Sequence, residues 1–252
     1  MKIHRFLVKG VFEGEQGRAG SRVGVGAGIG ANVSVRDEAI YHQIKDVLRL
    51  RTGETVIFFD NSGLEYFCKI NSFDGGFISV TVEKVSGVAV ADEKVKICLC
   101  ASLIKKDNYE WVLEKGTELG VSAFQPVISA RTEKKDLNME RAVKIVTEAS
   151  EQSGRVFLPL IKPVSSLEKI LSEVIGSSAV AFHLFGEKFD KEKILGGANG
   201  TEELCVFIGP EGGWTNEEID LFKKNNVPVY TLGDLVLKAE TAGIVSAALL
   251  LL

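Results

Sequence analysis

Hydrophobic positions follow two regimes along the chain. Up to about residue 86 they form short β-branched and aromatic runs: Val56-Ile57-Phe58-Phe59, Tyr66-Phe67-Cys68-Lys69-Ile70 and Phe77-Ile78-Ser79-Val80-Thr81-Val82. Asn61-Ser62-Gly63 and Asp74-Gly75-Gly76 read as the turns between them. Short strands at close spacing predict a small β-barrel, with a short helix over His42 to Leu48. Ser86 to Glu93 reads as a linker. Beyond it, strand and helix patterns alternate. Lys94 to Ala101, Phe124 to Ile128 and Ala179 to Phe185 are strands, the last closing at Gly186. Asn108 to Leu119 is a helix with Trp111, Val112, Lys115 and Leu119 at helical spacing, and Met139–Gln152 and Leu167–Ile175 are two more. That alternation predicts a parallel α/β sheet. The expected fold class is therefore α/β, with a β domain over 1–86 and an α/β domain over 87–252.

The stretch from Leu204 to Thr241 carries the densest signal. Leu204-Cys205-Val206-Phe207-Ile208 is a continuous apolar run, as in a strand buried on both faces. It stops at Gly209-Pro210-Glu211-Gly212-Gly213, where missing Cβ atoms let backbone N–H groups approach a ligand. Gly212 in particular is expected to touch that ligand or to adopt positive φ. Thr215-Asn216-Glu217-Glu218 is a capping box opening a helix to about Lys224, with Ile219 and Phe222 inward. Val227 to Thr231 is a second strand, ending in the glycine turn Leu232-Gly233. A last helix starts near Glu240-Thr241 and is apolar to Leu252. Two strands ending in glycine loops predict a crevice at the carboxyl edge of the sheet, where open α/β sheets bind ligands. Two ordinary tight turns are the alternative.

Composition narrows the class. Hydrophobic residues at 45% and charged residues at 25% are usual for a soluble protein. No apolar run reaches membrane-span length, and Lys2, His4 and Arg5 interrupt any leader-like run. Cys68, Cys98, Cys100 and Cys205 form no C-x-x-C pair, so a reduced cytoplasmic chain without bound metal is expected. The formal net charge of -4 argues against a general nucleic-acid coat. The basic residues of the first part, including Arg5, Arg49 and Arg51, either steer toward phosphates or form a solvated surface. The glycine-rich segment Glu13 to Asn32 matches a dinucleotide fingerprint at Gly26, Gly28 and Ala31, but no strand precedes it and no helix follows. A loop is the better reading.

GPEGGWTNEEI followed by LGDLVLKAETA resembles the C-terminal signature of the RsmE family. Lys115-Gly116-Thr117-Glu118-Leu119-Gly120-Val121 and Glu148-Ala149-Ser150-Glu151-Gln152-Ser153-Gly154-Arg155 resemble two of its internal segments, and His4-Arg5-Phe6 and Val47-Leu48-Arg49-Leu50 its N-terminal markers. The ordered set covers nearly the whole chain. The resemblance implies an S-adenosylmethionine-dependent methyltransferase acting on N3 of a uridine in 16S ribosomal RNA, free or in a small-subunit particle. It implies a SPOUT-type domain with a trefoil knot, a PUA-like RNA-binding barrel before it, and a homodimer beside the donor pockets.

On this reading Ile208, Gly209, Pro210, Glu211, Gly212, Gly213, Leu232, Gly233, Leu235, Leu237 and Thr241 surround the methyl donor, with Leu184 as a third side. Uridine N3 must lose a proton, so a base or an anion stabiliser is needed. Glu240 and Lys238 are the candidates; the first reading of Glu240 is nonetheless a helix N-terminal residue favoured by the dipole. Arg5, Arg49, Arg51, Lys105 and Arg155 are candidate RNA contacts, although Arg155 could instead pair with Glu118 or Glu151. The chain departs from the family at Leu235 and Lys238, where the pattern has arginines. Lysine loses the bidentate fork and leucine the charge. An inactive RNA-binding relative and an unrelated nucleotide-phosphate enzyme using Gly209–Gly213 as an anion cradle are the competing readings.

Overall fold

The computed structural model describes residues 3–10, 27–87, 96–174, 178–197 and 203–252. The expected features at 11–26, 88–95 and Ile175 lie outside the described residues. The chain divides into two compact units, Met1–Ala91 with Glu151–Phe157, and Asp92–Ser150 with Leu158–Leu252.

In the first unit β1 (Arg5–Leu7), β2 (Asn32–Val35), β3 (Thr55–Phe59), β4 (Leu64–Asp74) and β5 (Phe77–Gly87) form a sheet in the order β1-β3-β4-β5-β2. β1 lies parallel to β3 and the other pairs are antiparallel. Alternation places Tyr66, Cys68, Ile70, Ile78, Val80 and Val82 in one core with Phe6, Val35 and Phe58. β5 outruns its expected end. Ser86 and Gly87, read as linker, pair with Glu65 and Leu64. α1 (Glu38–His42) starts before the expected helix because the Asp37 side chain caps it, accepting from Ile40 N. It continues as a π-helical turn from Gln43 to Val47.

The second unit holds β6 (Lys96–Ser102), α2 (Lys106–Leu119), β7 (Ala123–Ile128), α3 (Met139–Ser153), β8 (Leu160–Ile161), β9 (Ser165–Ser166) and α4 (Leu167–Glu173). β10 (Ala179–Lys188), α5 (Lys191–Gly197), β11 (Glu203–Ile208), α6 (Asn216–Lys224), β12 (Val229–Thr231) and α7 (Ala239–Leu251) follow. The sheet order is β12-β10-β11-β6-β7-β8, with β9 also on β7, and all pairs are parallel. Both faces are covered, which is why β6 and β11 read as unbroken apolar runs. Leu204, Val206, Ile208, Ile97 and Leu99 face a core with Val112, Leu113, Val146 and Leu250. Cys205, Phe207, Cys98 and Cys100 face the other, with Leu167, Leu171 and Phe222. Trp111 lies off the inner face of α2, 45% exposed, and Tyr109 with Val112 and Leu113 takes that face. After the edge strand β12 the chain returns to pack α7 on α2 and β6. Among the described residues no helix is long and apolar enough to cross a membrane.

Two local features shape the sheet edge. β10 does not close at Gly186. Phe182 and Glu187 both align with Tyr230, so His183 to Gly186 are pushed out as a bulge. A Cβ on Gly186 would stand 2.3 Å from the Tyr230 carbonyl carbon, so only glycine fits the close approach of β12. The second feature is the capping box of α6. Glu218 Oε2 accepts from Thr215 N at 2.8 Å, and Thr215 Oγ1 accepts from Glu218 N at 3.3 Å. The other oxygen of the buried Glu218, Oε1, accepts from Ala130 N at 2.8 Å, joining the loop after β7 to the start of α6. Glu218→Ala leaves both backbone donors unsatisfied and is expected to destabilise the chain by about 2–4 kcal/mol. Glu218→Gln, which keeps one acceptor, should cost less. Urea unfolding of the two variants checks the order; equal, small losses would show that the bridge is not structural.

Candidate active site at the carboxyl edge of the parallel sheet

Parallel strands deliver their carboxyl ends to one edge, and the loops there come from distant parts of the sequence. They are 103–105 after β6, 129–132 after β7, the 183–186 bulge of β10, 209–214 after β11 and 232–238 after β12. Trp214 organises the middle. Its indole Nε1 donates to Phe182 O at 3.0 Å, fastening the loop after β11 to β10 at the start of the bulge. Gly209 makes this fit: a Cβ would lie 3.2 Å from Trp214 Cε2. Pro210 is buried, and Gly213 N closes a turn onto Pro210 O at 2.8 Å. Gly213, with φ at 68°, is the residue that needs glycine's left-handed freedom. The expectation of positive φ at Gly212 is corrected, because the turn places it one residue later. A Cβ at Gly212 would meet Arg131 Cδ at 3.1 Å, and Arg131 Nη1 donates to Gly212 O at 2.5 Å. Glu211 Oε1 accepts from Lys105 N at 3.4 Å.

His183 sits across from this turn. Its Nδ1 accepts from Phe185 N at 3.2 Å, and its Nε2 is 4.0 Å from the position of a Cβ on Gly213. Burial, and then the positive charge of Arg131, lower its pKa and favour the neutral ring. The second glycine loop is held by Thr231. Its hydroxyl donates to Gly233 O at 2.9 Å and accepts from Gly233 N at 3.3 Å. Gly233 has φ at 141°. Leu232 and Leu237 are half-buried beside it, whereas Leu235 is 80% exposed, Leu184 38% and Phe185 86%. Leu235 and Leu184 therefore form no closed wall within this chain. Ile208 is buried in the core, which leaves only its backbone at the edge.

The second loop runs into α7, which starts at Ala239, just before the expected Glu240-Thr241. Its N-cap Lys238 makes no side-chain cap, so the backbone donors of the first turn point out of the helix unserved by it. Glu240 is buried in this first turn, and its Oε2 has no hydrogen-bond partner among the described residues. Lys238 Nζ is 4.0 Å from Glu240 Oε1, with its own side chain 82% exposed. Thr241 follows, half-buried. A buried carboxylate oxygen without a partner costs free energy. Here it lies at the N-terminal end of a helix, where the dipole favours negative charge.

The sequence-predicted RNA contacts separate. Arg49 and Arg51 are exposed in the first unit. Arg5 is held within that unit: it pairs with Glu65, lies 5.6 Å from the Phe59 ring centre, and donates from Nη2 to Arg155 O at 3.4 Å. Arg155 Nε donates to Phe157 O at 3.2 Å. Glu118 is taken by Lys115 at 2.8 Å, and Glu151 accepts from Leu7 N at 2.9 Å. Lys105 is exposed on the second unit, at the sheet edge. Sequence reasoning passed over Arg131, Trp214 and the structural reach of Glu218. Ser129-Ala130-Arg131-Thr132 did follow a predicted strand, and that position was the signal available for Arg131.

A family model described as an RNA methyltransferase domain matches residues 91–251, and one described as an RNA methyltransferase PUA domain matches residues 36–83. The ribosomal RNA small subunit methyltransferase E of Bacillus subtilis (strain 168) is 30% identical over 226 residues, covering 83% of this chain and 85% of that protein. Its namesake from Rickettsia conorii is 27% identical over 212 residues, covering 82% and 84%. The solved structure of the Neisseria gonorrhoeae protein of that name, bound to S-adenosylmethionine, has a TM-score of 0.80 at 24% identity and covers 98% of this chain and 96% of that one. With an α/β unit that resembles SPOUT-fold methyltransferases and a PUA-like region before it, the chain belongs to the RsmE family of bacterial ribosomal RNA methyltransferases in the SPOUT superfamily.

Proposed function

We propose that this protein methylates N3 of a uridine in the 16S ribosomal RNA of the small subunit, with S-adenosylmethionine as methyl donor, in the cytoplasm. The observation that carries the reading is the buried Glu240 carboxylate, with its unpartnered Oε2, where the loop of Gly233 enters α7. The names of the Bacillus subtilis and Rickettsia conorii relatives support the substrate, and the Neisseria gonorrhoeae structure supports the donor. The residues present fit such a donor. Glycines at 209, 212, 213 and 233 keep side chains out of the edge so that a ligand can approach the backbone, and the half-buried Leu232 and Leu237 offer an apolar flank for a base. The return of the chain from β12 to α7 is the passage we assign to the family's knot.

When bound, the donor supplies an electrophilic methyl carbon. Glu240 Oε2 would accept the hydrogen bond of uracil N3–H and then its proton, leaving the ring nitrogen free to act as nucleophile. Lys238, beside Glu240, would stabilise negative charge spreading onto O2 or O4. With Leu235 in place of an arginine, that stabilisation comes from one flexible cation rather than a planar fork. Arg49, Arg51 and Lys105 are exposed cations suited to phosphate contact. Arg5 and Arg155 act instead by holding the first unit together.

S-adenosylhomocysteine at 100-fold excess over its Kd should stabilise the native chain by about 2.7 kcal/mol. ATP should leave it unchanged, and Gly213→Val should abolish the effect. A melting-temperature rise with ATP alone would favour the nucleotide-phosphate reading. Glu240→Gln should keep S-adenosylhomocysteine binding but lower kcat on small-subunit RNA by about 10²–10⁴-fold. If turnover stays within a few-fold, Glu240 serves the helix dipole only. If the parent chain itself transfers no methyl group, the protein is an RNA-binding relative without activity. We also propose a homodimer through the second unit, because α7 is apolar nearly all round and leaves Leu249 40% exposed. Sedimentation at micromolar concentration with S-adenosylhomocysteine present should give the dimer mass; a monomer would refute it.

A further inference from the structure

Cys98, Cys100 and Cys205 are dispersed in sequence, yet their three Sγ atoms all lie within 4.8 Å of one another. The sheet explains how. Cys98 and Cys100 are two apart on β6 and so share a face, and Cys205 on β11 is directly opposite Cys98 in the parallel register. All three side chains are buried. The Sγ atoms of Cys98 and Cys100 are 4.0 Å apart. Three sulfurs bound to one ion at about 2.3 Å each stand about 4 Å from one another in a trigonal plane. The cluster thus has nearly the spacing of a three-coordinate thiolate site without any backbone shift.

The surroundings suit an ion as well. Ala179, Cys205, Cys98 and Ala123 follow each other across β10, β11, β6 and β7, so small side chains flank the sulfurs on both sides. Lys162 brings a positive charge to the cluster. Its Nζ is 2.7 Å from Glu203 Oε2. It also stands beside Cys98, where a cation offsets part of the negative charge that metal-bound thiolates carry. None of these residues belongs to the methyl-transfer edge.

We propose that Cys98, Cys100 and Cys205 form a buried binding site for a soft, thiolate-seeking d10 cation that accepts three sulfur ligands. Soft thiolates select copper(I) and its kind over hard cations. A structural zinc ion takes four ligands, and no histidine or carboxylate joins this group among the described residues. Binding displaces the remaining thiol protons to solvent as the metal–sulfur bonds form.

The test uses the full, reduced chain without oxygen and cadmium(II) as the probe. One equivalent should produce the ultraviolet sulfur-to-cadmium charge-transfer band and raise the melting temperature. Copper(I) should displace the cadmium and zinc(II) should not. Cys205→Ala and Cys98→Ala should each weaken cadmium binding by about 100-fold or more, since even the outer partners of a metal ligand are worth about 10–100-fold. Cys68→Ala, in the other unit, should bind as the parent does. Circular dichroism shows whether each variant is folded. A charge-transfer band that develops only after unfolding would mean that the three thiols are apolar packing. A band retained in both folded variants would place the site elsewhere, and displacement by zinc equal to that by copper(I) would overturn three-coordination.

Discussion

The sheet edge depends on one buried carboxylate. Glu218 accepts from Thr215 N, which starts α6 in register, and from Ala130 N in the loop after β7. A buried carboxylate is costly unless its lone pairs are occupied, and here backbone donors serve both oxygens. The bridge sets where the glycine turn before α6 can stand. Trp214, between that turn and the cap, then fixes its distance from β10 through the bond to Phe182 O. Gly209 and Gly186 are the accommodations these contacts require: one admits the indole, the other the backbone of Tyr230.

Against this rigid frame the candidate catalytic groups are undercommitted. Glu240 is buried without a partner for Oε2, Lys238 is almost fully exposed, and Leu235 and Phe185 face solvent. Glu218 and Trp214 have their polar groups occupied, while the edge leaves Glu240 Oε2 open. That contrast is what the proposed role of Glu240 in meeting a ligand requires.

The two faces of the parallel sheet have different roles. One packs α7 and α2 against β6 and β11, and so carries the helix whose first turn holds Glu240. The other collects the three cysteines, far in chemistry from the edge although on the same strands. Period-two alternation makes this separation automatic, because adjacent residues of β6 and β11 serve different cores.

Much of this was legible in the residues alone. The change from short turn-bounded strands to alternating strands and helices, the capping box at Thr215 and the glycine loops after two apolar strands are local signals, each encoded within a few neighbouring residues. The ordered motifs identified the family for the same reason. What the sequence could not show is set by register between distant segments. The partners of Arg5 were not visible in the sequence, because only the folding of its unit placed Glu65 and Arg155 beside it. Gly212 and Gly213 were equivalent as letters, and only the closed turn gave positive φ to the second. Cys98 and Cys205 lacked any spacing that suggests a shared site, because strand pairing brings together residues that the intervening chain keeps a hundred positions apart.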